Sequence, residues 1–285
     1  MTTTLVSSPI SQFAGNRRRQ TLWGIALGAL FLLAIIFSPW VIGEGGLSPV
    51  LTQRNQPPSW AHAFGTAGRG RDMLSRSLHG MSLSVRIGLR AASLSALIGT
   101  GLGLAAGTLG GWVDAVITWI VDVFFSLPHL VLLILIAFAV GGGTKGVVIA
   151  VALTHWTSLA RVIRAEVLQV NSSDYVQLSH RLGRSPLWIA RHHMVPHVIP
   201  QLLVGLILLF PHAILHEAAL SFIGIGLSPH IPAIGIILAE SMRHLSTGYW
   251  WLGVMPGVLL LLSVKAFDWL GENVRTLLDP KTSQG

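Results

Sequence analysis

Residues 22–42 carry no charged side chain, and an apolar run of that length limits the folds open to the chain more than any other feature. About 20 helical residues cross the roughly 30 Å of a bilayer's hydrocarbon core, where every backbone N–H and C=O must be satisfied without water. Mainly apolar runs recur at 83–109, 113–140, 147–163, 198–225 and 250–270. Hydrophobic residues make up 52% of the chain and charged ones 11%, with a mean hydropathy of +0.65, which excludes a soluble domain of 285 residues. The sequence therefore predicts an all-α polytopic membrane protein with about six transmembrane helices.

Arg17, Arg18 and Arg19 precede the first run and place the N-terminus in the cytoplasm. That run is longer than the apolar core of a secretory signal and ends in Ser-Pro-Trp, so it reads as a retained span. The expected order is a cytoplasmic tail at 1–20, a first transmembrane helix at 21–43, a periplasmic segment at 44–80, a five-helix core at 81–280 and a tail at 281–285. Six spans return the C-terminus to the cytoplasm. Trp23, Trp40, Trp112, Trp250, Trp251 and Trp269 fall near span ends, as an interfacial aromatic belt would. The net charge of +8 suits contact with lipid phosphates; no basic cluster with exposed aromatics argues for nucleic acid. Without cysteine, disulfide and thiolate chemistry are excluded.

The longest stretch in the second half that cannot sit in lipid is 172–197, with Asp174, Arg181, Arg184, Arg191 and four histidines between two apolar runs. Tyr175, Val176, Leu178, Leu182 and Ile189 fall at spacings that lay one apolar stripe along a short helix at the membrane surface or against a partner. Gly183 and Ser185-Pro186 break it, giving helix, turn, helix. The pattern of Tyr175-Val176, Leu182-Gly183-x-Ser185 and then His193-x-x-Pro196 resembles the cytoplasmic coupling loop of ABC-importer permeases. Here Gln177, Leu178 and Ser179 stand where that family has Glu-Ala-Ala, and His197 where Asn is common. The segment from Gly65 to Arg76 is similar to the GTDxxGRDxxSR signature of peptide and nickel permeases, with Ala67 replacing its first Asp. The run from Glu217 to Gly226 is similar to that family's EAALSFLGLG, and the run from Ala266 to Pro280 to its C-terminal ending.

The resemblance implies an inner-membrane permease forming half of a translocation pathway beside a second homologous permease. It implies two ATPase subunits and a periplasmic or lipid-anchored binding protein as further partners. Coupling to the ATPases would fall to Tyr175, Gln177, Leu182, Gly183, Ser185 and Pro196. The chain has no Gly-Lys-Ser/Thr opening a helix after a strand, so ATP must bind elsewhere, and neither a cofactor nor catalysis is expected of the chain itself.

Ionisable residues within spans are costly and are functional candidates by default. His212 and His216, four residues apart, share one helix face at the spacing a metal pair would use, with Glu217 adjacent and His129 and His155 in neighbouring spans. The pathway is accordingly expected at His155, His212, His216 and Glu217, the last by resemblance shaping its outer part, with no metal ligand set fixed. The alternative is that the histidines hydrogen-bond carbonyls freed by Pro128 and Pro211. Gly99, Gly101, Gly103, Ala106 and Gly107 predict close packing on another helix. Asp114 is expected to cap the third span, and Asp122 to find Arg161 or Arg164. Twelve histidines, and Thr154-His155-Trp156, which resembles the nickel-type members, favour nickel, another divalent metal or its chelate as cargo. Short peptides are the alternative within the same architecture. A proton relay through Asp122, His216 and Glu217 is the distant one.

Overall fold

The computed structural model describes residues 10–278, with side chains from 19 to 277; the ends assigned above to tails lie partly outside them. Ten helices are used below: α1 (Ile10–Ile42), α2 (Met73–Leu109), α3 (Gly111–Ser126), α4 (His129–Ala139), α5 (Gly143–Asn171), α6 (Asp174–Arg181), α7 (Pro186–Ile189), α8 (Val195–Ile223), α9 (Ile234–Met242) and α10 (Trp251–Leu278). Five helical segments, in α1, α2, α5, the α7–α8 stretch and α10, are each long and apolar enough to cross a membrane. A sixth crossing is made if the bent pair α3 and α4 counts as one span. The described residues hold no β-sheet, only an isolated bridge between Thr66 and Asp72.

The most extensive helix contact is between α2 and α5, and the glycines explain it. A Cβ at Gly99 would lie 2.7 Å from the Trp156 carbonyl oxygen. One at Gly103 would lie 2.7 Å from the Ala160 carbonyl, and one at Gly107 2.6 Å from Val167. These three positions repeat every four residues, so they form one stripe of missing side chains on which the α5 backbone rests. Gly101 faces open space instead. Along the stripe both helices ascend in sequence together, so α2 and α5 run parallel.

Around this pair α8 packs on α2 and α5, α10 on α8 and α1, and α1 on α2. Phe210 and Phe267 stack at 4.9 Å between α8 and α10, and Ser82 of α2 donates to the Ile36 carbonyl of α1 at 2.9 Å. The main core, with Met81, Ile87, Leu133, Val147, Ile214 and Ile234 among its buried members, lies where α2, α4, α5, α8 and α9 meet.

Two expectations are corrected and one is sharpened. The third span, 113–140, with Pro128 as its kink candidate, bends there so far that α3 and α4 meet at 102°. Leu127 is forced into extended backbone (φ −92°, ψ 142°) by the proline after it, and Pro128, lacking an N–H, opens α4. The fifth span, 198–225, whose Pro200 and Pro211 predict breaks, is not interrupted at either, because α8 stays helical through both while neighbouring helices pack along it. Between the fifth and sixth spans, where no element was expected, α9 folds in under the others, so close that a Cβ at Gly235 would lie 2.1 Å from the Ala218 carbonyl.

The two carboxylates of α3 find different arginines of α5. Arg164 grips Asp114 through two nitrogens, the longer contact 2.6 Å, and Arg161 meets Asp122 at 2.6 Å. Asp114 does stand in the first turn of α3, as a cap would, and its principal partner is this guanidinium.

The signature over 65–76 builds the start of α2. Asp72 caps the helix by accepting from the Ser75 N–H at 2.8 Å, and its other oxygen meets His62 Nδ1 at 2.9 Å. Gly70, at φ +72°, lets the turn pass so near Val50 that a Cβ would collide with its carbonyl. Arg76, almost wholly buried, reaches Glu240 of α9 at 2.7 Å.

Replacing Gly103 with Val should lower the melting midpoint of the detergent-purified protein, at a cost of about 1–3 kcal/mol for overpacking. The same replacement at Gly101 should leave it within experimental scatter, and equal effects at both positions would refute the glycine contact.

Candidate functional site

Two regions gather the residues singled out by the sequence, one at the α6–α7 end of the bundle and one in its interior.

At the end of α5 the chain turns through Ser172 and Ser173 into α6. Eight residues are too few to hold a helix in isolation, so α6 depends on packing. Val176, Ile189, Met194 and Val198 are buried with Leu159, Ile163, Val167 and Val170 in one cluster, which fixes α6 and α7 to the adjoining ends of α5 and α8. Gly183 takes φ +76° to reverse the chain, and Ser185 caps α7 by accepting from the Trp188 N–H at 3.3 Å. A π-helical turn, Ala190–Met194, then leads into α8. It is reinforced by Trp188 stacked on His192 at 4.3 Å and by Ser179 Oγ at 3.0 Å from His193 Nε2.

The stripe read from the sequence is thus two faces. Val176 and Ile189 point inward, whereas Tyr175, Leu178 and Leu182 point out, joined by Leu187, which is 80% exposed. Gln177, Gly183, Ser185 and Pro196 are exposed too. An apolar surface on a polar loop is what a partner protein would cover.

In the interior, the expected His212–His216 pair is not what gathers. His216 of α8 meets His155 of α5 and His129 of α4, with ring centroids 4.8 Å (155–216), 4.9 Å (129–216) and 4.7 Å (129–155) apart. One nitrogen from each of the three lies within 4.8 Å of the others, so this trio could hold a metal. His212, one turn before His216, is exposed and its Nδ1 faces the Leu208 carbonyl of its own helix at 3.2 Å. His155 and His212 do face backbone carbonyls, those of Val151 and Leu208, each one turn earlier in the same helix, but neither is a carbonyl four residues before Pro128 or Pro211, which were expected to supply them. His129 enters because the break at Pro128 turns α4 back toward α5; its place was legible only as a histidine after a proline.

Glu217, beside His216 in sequence, faces elsewhere. It is fully buried, accepts from Ser221 Oγ at 2.8 Å and has Ser84 of α2 beside it. Ser221 Oγ in turn accepts from the Leu227 N–H at 3.2 Å, and Gly224, at φ +89°, closes the return after α8. The carboxyl thus secures the end of α8. Asp122, paired with Arg161, and Glu217, held by serines, form no continuous relay with His216.

Residues 99–282 match the family described as binding-protein-dependent transport system inner membrane component. The dipeptide transport system permease protein DppC of Bacillus subtilis (strain 168) is 34% identical over 263 residues, covering 90% of this chain and 82% of that protein. The probable D,D-dipeptide transport system permease protein DdpC of Escherichia coli (strain K12) is 36% identical, covering 92% and 87%. The di/tripeptide transport system permease protein DppC of Pseudomonas aeruginosa (strain UCBPP-PA14) is 33% identical, covering 96% and 93%. Among solved structures, an amino acid ABC transporter with histidines aligns at TM-score 0.55 and 18% identity over 72% of this chain and 95% of that one. The MetNI methionine ABC transporter, in an inward-facing conformation, aligns at 0.52 and 20% over 69% and 95%. These two speak for the fold. Family match, near full-length relatives and a helical bundle with an exposed loop agree: the chain belongs to the binding-protein-dependent inner membrane components, as a multi-pass ABC-importer permease of the dipeptide, oligopeptide and nickel group.

Proposed function

We propose that this permease forms half of a pathway importing short peptides, beside a second homologous permease, with two ATPase subunits driving it and a periplasmic or lipid-anchored binding protein delivering cargo. The observation that carries the peptide reading is the set of relatives at 33–36% identity over nine-tenths of the chain, each named for di- or tripeptides. They outweigh the nickel or metal-chelate cargo favoured by the histidine count, since a count says nothing of where the rings lie. In this reading the chain is not an enzyme, and the work of ATP hydrolysis reaches it through protein contact.

The contact is assigned to the outward face of α6 and α7, where Tyr175, Leu178, Leu182 and Leu187 stand exposed around the Gly183 turn. Gln177, Ser185 and Pro196 border it. In this reading the loop and both termini lie in the cytoplasm, in line with the arginines before the first span. The absent Glu-Ala-Ala carboxylate makes an apolar contact, rather than a salt bridge, the principal hold on the ATPase.

Cells carrying this chain with its neighbouring transport genes should accumulate a labelled dipeptide in an ATP-dependent manner, with radioactive nickel at background with or without chelators. Nickel accumulation without dipeptide uptake would overturn the peptide reading and keep the architecture. Independently, Leu182→Asp places a charge on the outward face and touches no core residue. It should reduce uptake at least tenfold and abolish cargo-stimulated ATP hydrolysis by the purified complex at unchanged membrane levels. Unaltered coupling in Leu182→Asp would remove this surface from the coupling role.

A further inference from the structure

We propose that His129, His155 and His216 form a binding site for one divalent transition-metal ion, with three imidazole nitrogens as ligands and a fourth position left open. Three observations carry it. The first is convergence: the rings come from three helices, α4, α5 and α8, and still present one nitrogen each within 4.8 Å of the others. The centre of a triangle with 4.8 Å sides is about 2.8 Å from its corners, and metal–imidazole bonds are about 2.0–2.1 Å, so rotamer-scale movement closes the site.

The second is the way His155 is held. Its Nδ1 lies 3.1 Å from the Val151 carbonyl, which can only accept, and 3.0 Å from Thr154 Oγ1. The Thr154 hydroxyl proton is directed at the Ala150 carbonyl, 2.9 Å away. Nδ1 must therefore carry the ring proton, which leaves the Nε2 lone pair bare. A backbone carbonyl on the distal nitrogen is the support that ligating histidines receive, fixing tautomer and ring orientation.

The third is what the other two rings lack. Among the described residues His129 and His216 make ring contacts within this trio and no hydrogen bond to the protein; His216 is half-buried and His129 exposed. Unpartnered imidazoles pressed together are a poor arrangement for their own sake and a suitable one for a shared cation.

Imidazole donors select zinc, nickel, cobalt or copper over magnesium and calcium, which want oxygen, and the chain has no cysteine to compete. His129 is exposed, so the trio is not sealed inside the bundle. A bound ion would fasten the start of α4, just after the Pro128 break, to both α5 and α8. This inference does not depend on the identity of the cargo.

The test uses the assembled transporter, tag-free and in lipid nanodiscs, stripped with chelator and without peptide. Equilibrium dialysis against zinc should show one ion per copy of this chain, and cobalt should give the intense visible absorption of a low-coordinate site. His216→Asn and His129→Asn should each weaken zinc binding at least tenfold and abolish the cobalt spectrum, while His230→Asn, on the exposed loop after α8, should change neither. His129 is exposed and outside the core, so that variant keeps the test open even if a change at His155 prevents folding. Sub-stoichiometric zinc, or affinity equal in wild type and His129→Asn, would overturn the site, as would an equal loss in His230→Asn.

Discussion

The backbone contact of α2 on α5 is the constraint on which the rest of the bundle depends. In lipid there is no water to expel from between helices, so association relies on close dispersion contact and on polar pairing. Gly99, Gly103 and Gly107 provide the first by letting the α5 backbone come to the distance a methyl group would occupy. Fixed in this way, α5 serves every other region. Its middle presents His155 inward, Arg161 and Arg164 reach the carboxylates of α3, and its last turns, through Val167 and Val170, hold α6 in place. Glu166, near the same end, meets His197 at the start of α8 at 2.9 Å.

Many polar groups within the bundle are paired in a small number of ways, though Ser95 Oγ and Thr100 Oγ1 are buried with no hydrogen-bond partner, and the interior trio differs in gathering three rings from three helices. Hydroxyls turn back on their own helices, as Ser77 does to Met73 and Ser263 to Leu259. Charges pair between helices, with Arg76 on Glu240 the most enclosed basic member. Glu217 draws on Ser221 and the turn that follows it. His129 and His216 are handled by none of these means, and their neighbours are each other and His155. A bend that brings α4 back against α5 serves packing whether or not a ring stands at its first residue. The coincidence of the bend with a histidine therefore calls for a chemical account.

The sequence told most where the determining energy is local. Each span exists because its own residues prefer hydrocarbon, and the stripe of small residues marks a close helix contact without naming the partner. Proline was legible as chemistry and not as outcome: the same residue type ends a helix at Pro128 and is absorbed at Pro200 and Pro211, because flanking helices decide which happens. α9 escaped notice because nine residues are too few for a span and its glycine faces α8 rather than a turn. The signature over 65–76 could be matched as a pattern; the cap that Asp72 gives α2 is local, but Arg76 ties α2 to Glu240 of α9 across 164 positions of sequence. The histidine trio lies furthest from local reading. The i, i+4 pair on α8 was the visible signal, and the structure keeps one of its members and takes the other two rings from α4 and α5.

The loop at 172–197 and the interior are connected through α5 and α8. α6 has no stability of its own, and its inward residue Val176 is packed into the adjoining ends of α5 and α8. A load on the outward leucines would consequently be carried first by those two helices and only through them by α1 and α10. α5 and α8 each contribute one histidine to the interior trio, and the third is the first residue of α4, just after the Pro128 break. Relative motion of α5 and α8 would thus change the spacing of the rings directly. A cation held by all three would resist that motion, so occupancy of the interior site and movement of the loop would be linked through the same two helices, each altering the free energy of the other.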